Sequence, residues 1–247
     1  MIFRTVIQDC LCLNWAVPAE VLPPPPPPLS HDVLKTADGD FVFVSVMLFR
    51  QERLLPAAHL PRLSQPQCQF HTFAVDGDGR DCRWVSGILL PTWLAASVRW
   101  VAGRPARGAR LHFPALGAPG CSGDHWRWAV AASGRLDVEA KLGGPSGAQS
   151  PSLGSWQKTV AYFRKQRSEY VLTRGKWQQV HVERQGADAI PVAVEVVEDR
   201  LVMDQLGASG GSMPQVHSSW LVPTIKTSFE YASEREAAGL PGAPAPL

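Results

Sequence analysis

Apolar side chains dominate two early segments with little of the alternation that marks a half-exposed strand. FRTVIQDCLCLNW, from residue 3 to 15, and DGDFVFVSVMLFR, from 38 to 50, both read as strands. The second has so little polar interruption that burial on both faces is expected. Residues 51 to 66, with three prolines, read as an irregular arm. QCQFHTFAV (67 to 75) and RDCRWVSGILL (80 to 90) are strands around DGDG, a hairpin turn. Pro91 opens a helix that runs through TWLAASVRWVA and stops at Gly103, a residue suited to the position after a helix. Leu94, Val98 and Val101 share one of its faces, with Trp93, Ala96 and Trp100 beside them.

The strand ARLHF follows, then HWRWAVAA and RLDVEAKL as a hairpin about Ser133-Gly134. Period two puts Leu136, Val138, Ala140 and Leu142 inward and Arg135, Asp137, Glu139 and Lys141 outward. After the loop GGPSGAQSPSLGS, SWQKTVAYFRKQ is helical, with Ser152 or Ser155 as N-cap. EYVLT, KWQQVHVER, PVAVEVV and HSSWLVPTIKTSFEYA are strands, with a helical turn over 199 to 206. About ten strands and two or three helices around one core predict a mainly β (α+β) fold, a closed or nearly closed antiparallel barrel. Residues 1–232 are read as one domain and 233–247 as a disordered tail.

Composition narrows the function classes. A chain of 247 residues buries a full core without disulfides. A net charge of +2 is too mild for a dedicated nucleic-acid binder. The five cysteines are odd in number and scattered, so no disulfide framework is implied. Asp9 interrupts the N-terminal apolar run, which makes it a poor signal peptide. The longest apolar stretch, Trp84 to Val98, holds a proline and falls short of the roughly 20 residues of a membrane span. The expectation is a cytoplasmic protein with reduced thiols and no membrane partner.

Motifs for cofactor or metal chemistry are absent. Cys10 and Cys12 share a strand face, but no further pair completes a zinc spacing, so burial as small apolar residues is the expectation. The seven histidines form neither H-x-H nor HExxH, and no P-loop or dinucleotide fingerprint occurs. No cofactor and no metal is therefore assigned. Trp84, Trp93, Trp100, Trp126 and Trp128 lie near arginines, a pattern that fills cores more often than it stacks bases. Pro23 to Pro28 reads as a stiff connector, with a partner-ligand role as the alternative. One charge feature stands out. Between Cys82 and Gly123 there is no acid, yet Arg83, Arg99, Arg104, Arg107 and Arg110 all fall there. They either lie along the surface or line an electropositive pocket for carboxylate or phosphate.

The order and spacing of LCLNWAVPAEVLPPPPPPL, DGDFVFVSVMLFR, TWLAASVRWVAGRPARGARL and the SLGSWQKTVAYFRKQRSEYVLTRGKWQQVHVE block resemble the bacterial YqjF-like domain family, within the acetoacetate decarboxylase-like superfamily. The resemblance covers most of residues 3 to 232. It implies a cone-like antiparallel barrel with a central cavity and outer helices. Decarboxylases of the superfamily form an imine through the first lysine of a Gly-aromatic-Pro-Lys-Lys segment, activated by the second. The matching residues here are Gly103-Arg104-Pro105-Ala106-Arg107, and Gln67 stands where those enzymes carry an acid. Alanine is no nucleophile, and arginine stays charged.

The expected function is therefore binding of a small anionic or carbonyl-bearing ligand, a carboxylate among the candidates, without Schiff-base catalysis. Arg104 and Arg107 are the expected ligand-facing cations, Arg83 or Arg99 their helpers, and Trp84 and Trp100 apolar walls. His71 is counted with the ligand-binding residues. It is also the acid-base candidate of the alternative, a lysine-independent lyase or hydrolase. A protein-interaction module is the third class. Nucleic acid is excluded as a partner, and a homo-oligomer is left open.

Overall fold

The computed structural model describes residues 2–37, 39–55, 64–114, 116, 125–142, 149–150, 153–165, 168–174, 176–186, 188–207 and 213–236. The strands are β1 (Ile2–Pro18), β2 (Ser30–His31), β3 (Val33–Thr36), β4 (Gly39–Leu55), β5 (Ser64–Val75), β6 (Asp81–Pro91), β7 (Ala106–His112), β8 (His125–Ala131), β9 (Arg135–Leu142), β10 (Gln149–Ser150), β11 (Gly154–Ser155), β12 (Ser168–Thr173), β13 (Lys176–Gly186), β14 (Ile190–Glu198) and β15 (Ser218–Glu236). The helices are α1 (Thr92–Ala102), α2 (Trp156–Arg164) and α3 (Arg200–Leu206). None of these helices is long and apolar enough to cross a membrane.

Thirteen strands form one sheet that closes on itself twice. A wall of five strands, β15-β1-β4-β5-β6, is common to both closures. On one side β12 and β13 bridge β6 back to β15, giving a seven-stranded ring. On the other, β7, β8, β9 and β14 make the same bridge, giving a nine-stranded ring. Pairing is antiparallel except where β6 meets β7 and β12.

The middles of the central wall strands β1, β4 and β5 are buried on both faces because their side chains alternate between two interiors. Leu11, Leu13, Trp15 and Val17 of β1, with Val42, Val44, Val46 and Leu48 of β4, pack with Trp128, Val138 and α3 in the nine-stranded ring. The intervening Cys10 and Cys12, with Phe43, Met47 and Phe49, pack with Phe163 of α2 and Trp220 in the seven-stranded ring. This accounts for the missing alternation in FVFVSVMLF, where both parities meet apolar neighbours.

Local signals set the ends of the elements. Gly103 terminates α1 at φ 63°, and a Cβ there would lie 2.8 Å from Arg174 Nε. Ser155 caps α2, its hydroxyl accepting from Lys158 N at 3.4 Å. Asp76 organises the β5–β6 turn, accepting from Asp78 N and Arg80 N at 2.9 Å each and from Tyr170 Oη at 3.1 Å.

The proline segment lies against the outer face of the seven-stranded ring. Leu29 joins a cluster with Ala74, Cys82, Tyr170 and Trp177, and the Trp177 indole donates to Pro27 O. Several expectations shift. Pro91 is the N-cap of α1 rather than its first residue. Much of the arm over 51–66 is strand, with β4 reaching Leu55 and β5 starting at Ser64; residues 56–63 lie outside the described residues. β15 continues to Glu236, past the expected start of the tail, and 237–247 lie outside the described residues. Asp137 is only 2% exposed, because Arg127 and Arg135 both fold onto its carboxylate. These pairs hold it below the usual carboxylate range, the Arg127 hydrogen bond most of all.

Candidate functional site

The seven-stranded ring holds a cavity of about 570 Å³ that is partly open to solvent. Strand alternation supplies its walls. Cys12 and Asn14 of β1, Ser45 and Met47 of β4, Arg83 of β6, Val182 and Arg184 of β13, and Trp220 and Val222 of β15 all line it. α2 closes one side, its Phe163 ring 5.0 Å from Phe43, 5.1 Å from Phe73 and 5.2 Å from Trp220, centre to centre. Gly186, at the end of β13, lets that strand approach β15. A Cβ there would sit 2.5 Å from Thr224 O.

A buried charge cluster forms part of this interior. Parallel pairing of β12 with β6 sets Glu169 level with Arg83. Glu169 is paired with Arg184, Arg83 donates to Phe163 O, and the Arg83 guanidinium lies 5.2 Å from the centre of the Phe73 ring. Arg184 thus holds the buried Glu169 carboxylate directly, and Arg83 acts on it through its charge. Burial pushes the Glu169 carboxyl up, but the charges of Arg184 and Arg83 and the Arg184 hydrogen bond outweigh it and hold it ionised. Burial, helped by the Arg184 charge, pulls Arg83 down to about 10, which still leaves it cationic at neutral pH. Among the described residues, Arg83 Nε, Arg184 Nε and His71 Nδ1 are buried without a hydrogen-bond partner. Nearer the wall, Asn14 Nδ2 donates to Ser218 O at 3.1 Å and Asn14 Oδ1 accepts from Ser45.

The seven residues singled out in the sequence fall in different places. Arg83 lines the cavity. His71 is fully buried beside the charge cluster, with Nε2 3.0 Å from Gln69 Oε1. Burial drives it down to about 3, so it is the uncharged imidazole at neutral pH and not an imidazolium acid there. His71 and the other five all lie outside the cavity lining. Arg104 donates to Tyr231 Oη and stacks on that ring at 5.4 Å. Arg107 is exposed and donates to Gln205 Oε1. Arg99 is exposed on α1, and Trp100 is 81% exposed. Trp84 packs on the face of β6 opposite Arg83, against the cluster under the proline segment. Ala106, where the resembling enzymes carry their lysine, is buried beneath α1 with Val85, Ile88, Leu90, Ala95 and Val171.

Sequence reading passed over Glu169 and Arg184. A signal was there: Val180, Val182 and Arg184 fall on alternate positions, so Arg184 stands where period two expects a core residue. Glu169 shares its parity with Val171 in the same way. None of the described residues lining the cavity is a lysine.

No protein-family model and no curated protein sequence matches the chain. Solved structures do match. The enduracididine biosynthesis enzyme MppR, with HEPES bound, aligns at a TM-score of 0.59 and 14% identity, over 96% of this chain and 89% of that one. The same enzyme complexed with pyruvate gives 0.57 and 14%, over 96% and 90%. An acetoacetate decarboxylase-like enzyme from Sphingomonas wittichii RW1 gives 0.54 and 13%, over 95% and 92%. The chain is thus similar to acetoacetate decarboxylase-like proteins in fold.

Proposed function

We propose that the seven-stranded interior binds a small carboxylate bearing a carbonyl group, a 2-oxo acid of about the size of pyruvate, without forming an imine. The observation that carries this reading is the charge balance of the cluster. Glu183 and Arg164 of the lining balance in number, and Glu169 is paired with Arg184, which leaves one positive charge in excess on Arg83 and Arg184. Their unpartnered Nε atoms are donors without an acceptor, and arginine receives carboxylates in a planar, two-bond geometry. Asn14 and Ser45 add polar contacts for a carbonyl oxygen, while Met47, Phe163 and Trp220 form the apolar wall. The pyruvate complex of a protein with the same fold lends support to this ligand class.

Imine chemistry needs a neutral amine. Ala106 provides none, and the described cavity lining holds no lysine. With His71 neutral and buried, the lysine-independent lyase or hydrolase reading lacks its acid at neutral pH.

Calorimetric titration with pyruvate tests the reading. Binding by the wild type, weakened at least about tenfold in Arg184→Gln by loss of charge-assisted bonds, and unchanged in Arg107→Ala, is the expected pattern. Equal affinity in all three proteins would remove the cavity from consideration. Borohydride treatment in the presence of pyruvate is expected to add no mass; a reduced adduct would show that an amine does the chemistry.

A further inference from the structure

Two cysteine sulfurs, one lining the cavity and one buried behind it, have no part in the reading above. Cys10 and Cys12 occupy alternate positions of β1 and face the seven-stranded interior, with their Sγ atoms 3.6 Å apart. A bulge between Gln8 and Leu11, with Asp9 at φ 54°, includes Cys10. The two thiols are not equivalent. Cys10 is fully buried, whereas Cys12 lines the cavity along with Arg83 and Arg184. The free Cys68 and Cys82 are buried elsewhere, in the other interior and under the proline segment.

We propose that Cys12 is a nucleophile that adds reversibly to the carbonyl carbon of a 2-oxo carboxylate held by the arginines of this cavity. The proposal rests on the carboxylate-binding reading given above. Cys10 acts through Cys12: the two sulfurs are within hydrogen-bond reach, and in the proposed arrangement Cys10 keeps its proton and donates it to the Cys12 sulfur.

Electrostatics favours this division of roles. The hydrogen bond with Cys10 lowers Cys12, and the charges of Arg83, Arg184 and Arg164 add to it against the opposing effect of burial. The same hydrogen bond, then burial, raises Cys10 well above the usual thiol range. A thiolate is the reactive form of cysteine, and nearby cations favour it. In the addition, the S–C bond forms and the π pair of the C=O bond moves onto oxygen. That oxygen then takes up the proton the thiol released. The net change is S–H added across C=O, with nothing oxidised or reduced and no group leaving. A carboxylate on the guanidiniums places the adjacent carbonyl at the wall where Cys12 sits.

The test uses the full chain and two probes. With pyruvate labelled with carbon-13 at its ketone carbon, the wild type is expected to convert part of the ketone signal into that of a tetrahedral carbon, and Cys12→Ser is not. With 3-bromopyruvate and peptide mapping, Cys12 is expected to react about tenfold or more faster than Cys68 or Cys82, and unlabelled pyruvate to protect it. The pH midpoint of that alkylation is expected below the roughly 8.5 of a free thiol, and to move up in Cys10→Ala.

Pyruvate binding by both wild type and Cys12→Ser, with no tetrahedral carbon in either, would overturn the thiol proposal and leave the cavity reading standing. Binding by neither would overturn both. Alkylation of Cys12 no faster than of Cys68, with no protection by pyruvate, would also overturn the proposal.

Discussion

At the scale of single residues, the molecule is decided by a few polar groups placed where apolar ones are expected. Glu169 is paired with the half-buried Arg184 and its charge also acts on the buried Arg83, so removing that charge leaves both guanidiniums uncompensated. Glu169→Gln is expected to cost about 3–5 kcal/mol in urea unfolding, with part of the loss recovered by added pyruvate, which restores a negative charge. His71 sets a pH dependence of definite sign. Its folded value of about 3 lies far below its ordinary 6.5. Below pH 6.5 the unfolded chain takes up a proton that the folded chain refuses. Stability present above pH 6.5 is therefore lost as pH falls from 6.5 towards 3, by up to about 1.4 kcal/mol per pH unit from this residue. Melting temperatures across that range should show the slope, and His71→Gln should flatten it above pH 5. Glu169, held below its usual range, adds to the loss at the acid end of the window. These residues also mark where sequence reading runs out. Arg83 drew attention through the acid-free window, but its partners lie on strands that meet only through ring closure, and no local spacing announces a parallel pairing of β12 with β6.

At the scale of elements, legibility followed the locality of the cause. The end of α1 at Gly103, the Asp76 turn and the Ser155 cap are each fixed within a few residues and were readable from the chain. Asp137 was not, because period two puts it outward while Arg127, a cross-strand diagonal neighbour, covers it. The placement of Arg104, Arg107 and Trp100 was equally hidden, since the turn after α1 carries its side chains away from the seven-stranded interior. Two substitutions probe elements that shape the site. Asp76→Ala removes three accepted hydrogen bonds from the β5–β6 turn and is expected to cost about 1–3 kcal/mol. Ser155→Ala unpins the start of α2 and is expected to cost about 1 kcal/mol. Because α2 carries Phe163 into the cavity wall, the second change is also expected to weaken pyruvate binding in calorimetry, and the first is not.

At the scale of the whole molecule, the five-stranded wall joins stability to binding while keeping them separable. Val46 and Met47 are consecutive on β4 and belong to different interiors. Val46→Ala is expected to lower stability by about 1–3 kcal/mol and leave pyruvate affinity of the folded protein intact. Met47→Ala opens the binding interior and is expected to change affinity as well; the same titration on both variants checks the contrast. The unalternating run around these residues disclosed double-sided burial from sequence alone. That the two sides are two closed rings required the pairings at both ends of β6. The central strands of this wall have no solvent face to receive a misplaced side chain. Insertion of a single residue into β1 or β4 would exchange the contents of the two interiors beyond the insertion point, sending tryptophan and leucine towards the arginines and the thiols into the apolar ring. Odd and even positions of one strand thus act as two interleaved sequences. Each can drift to suit its own chamber, and neither can change length without the other.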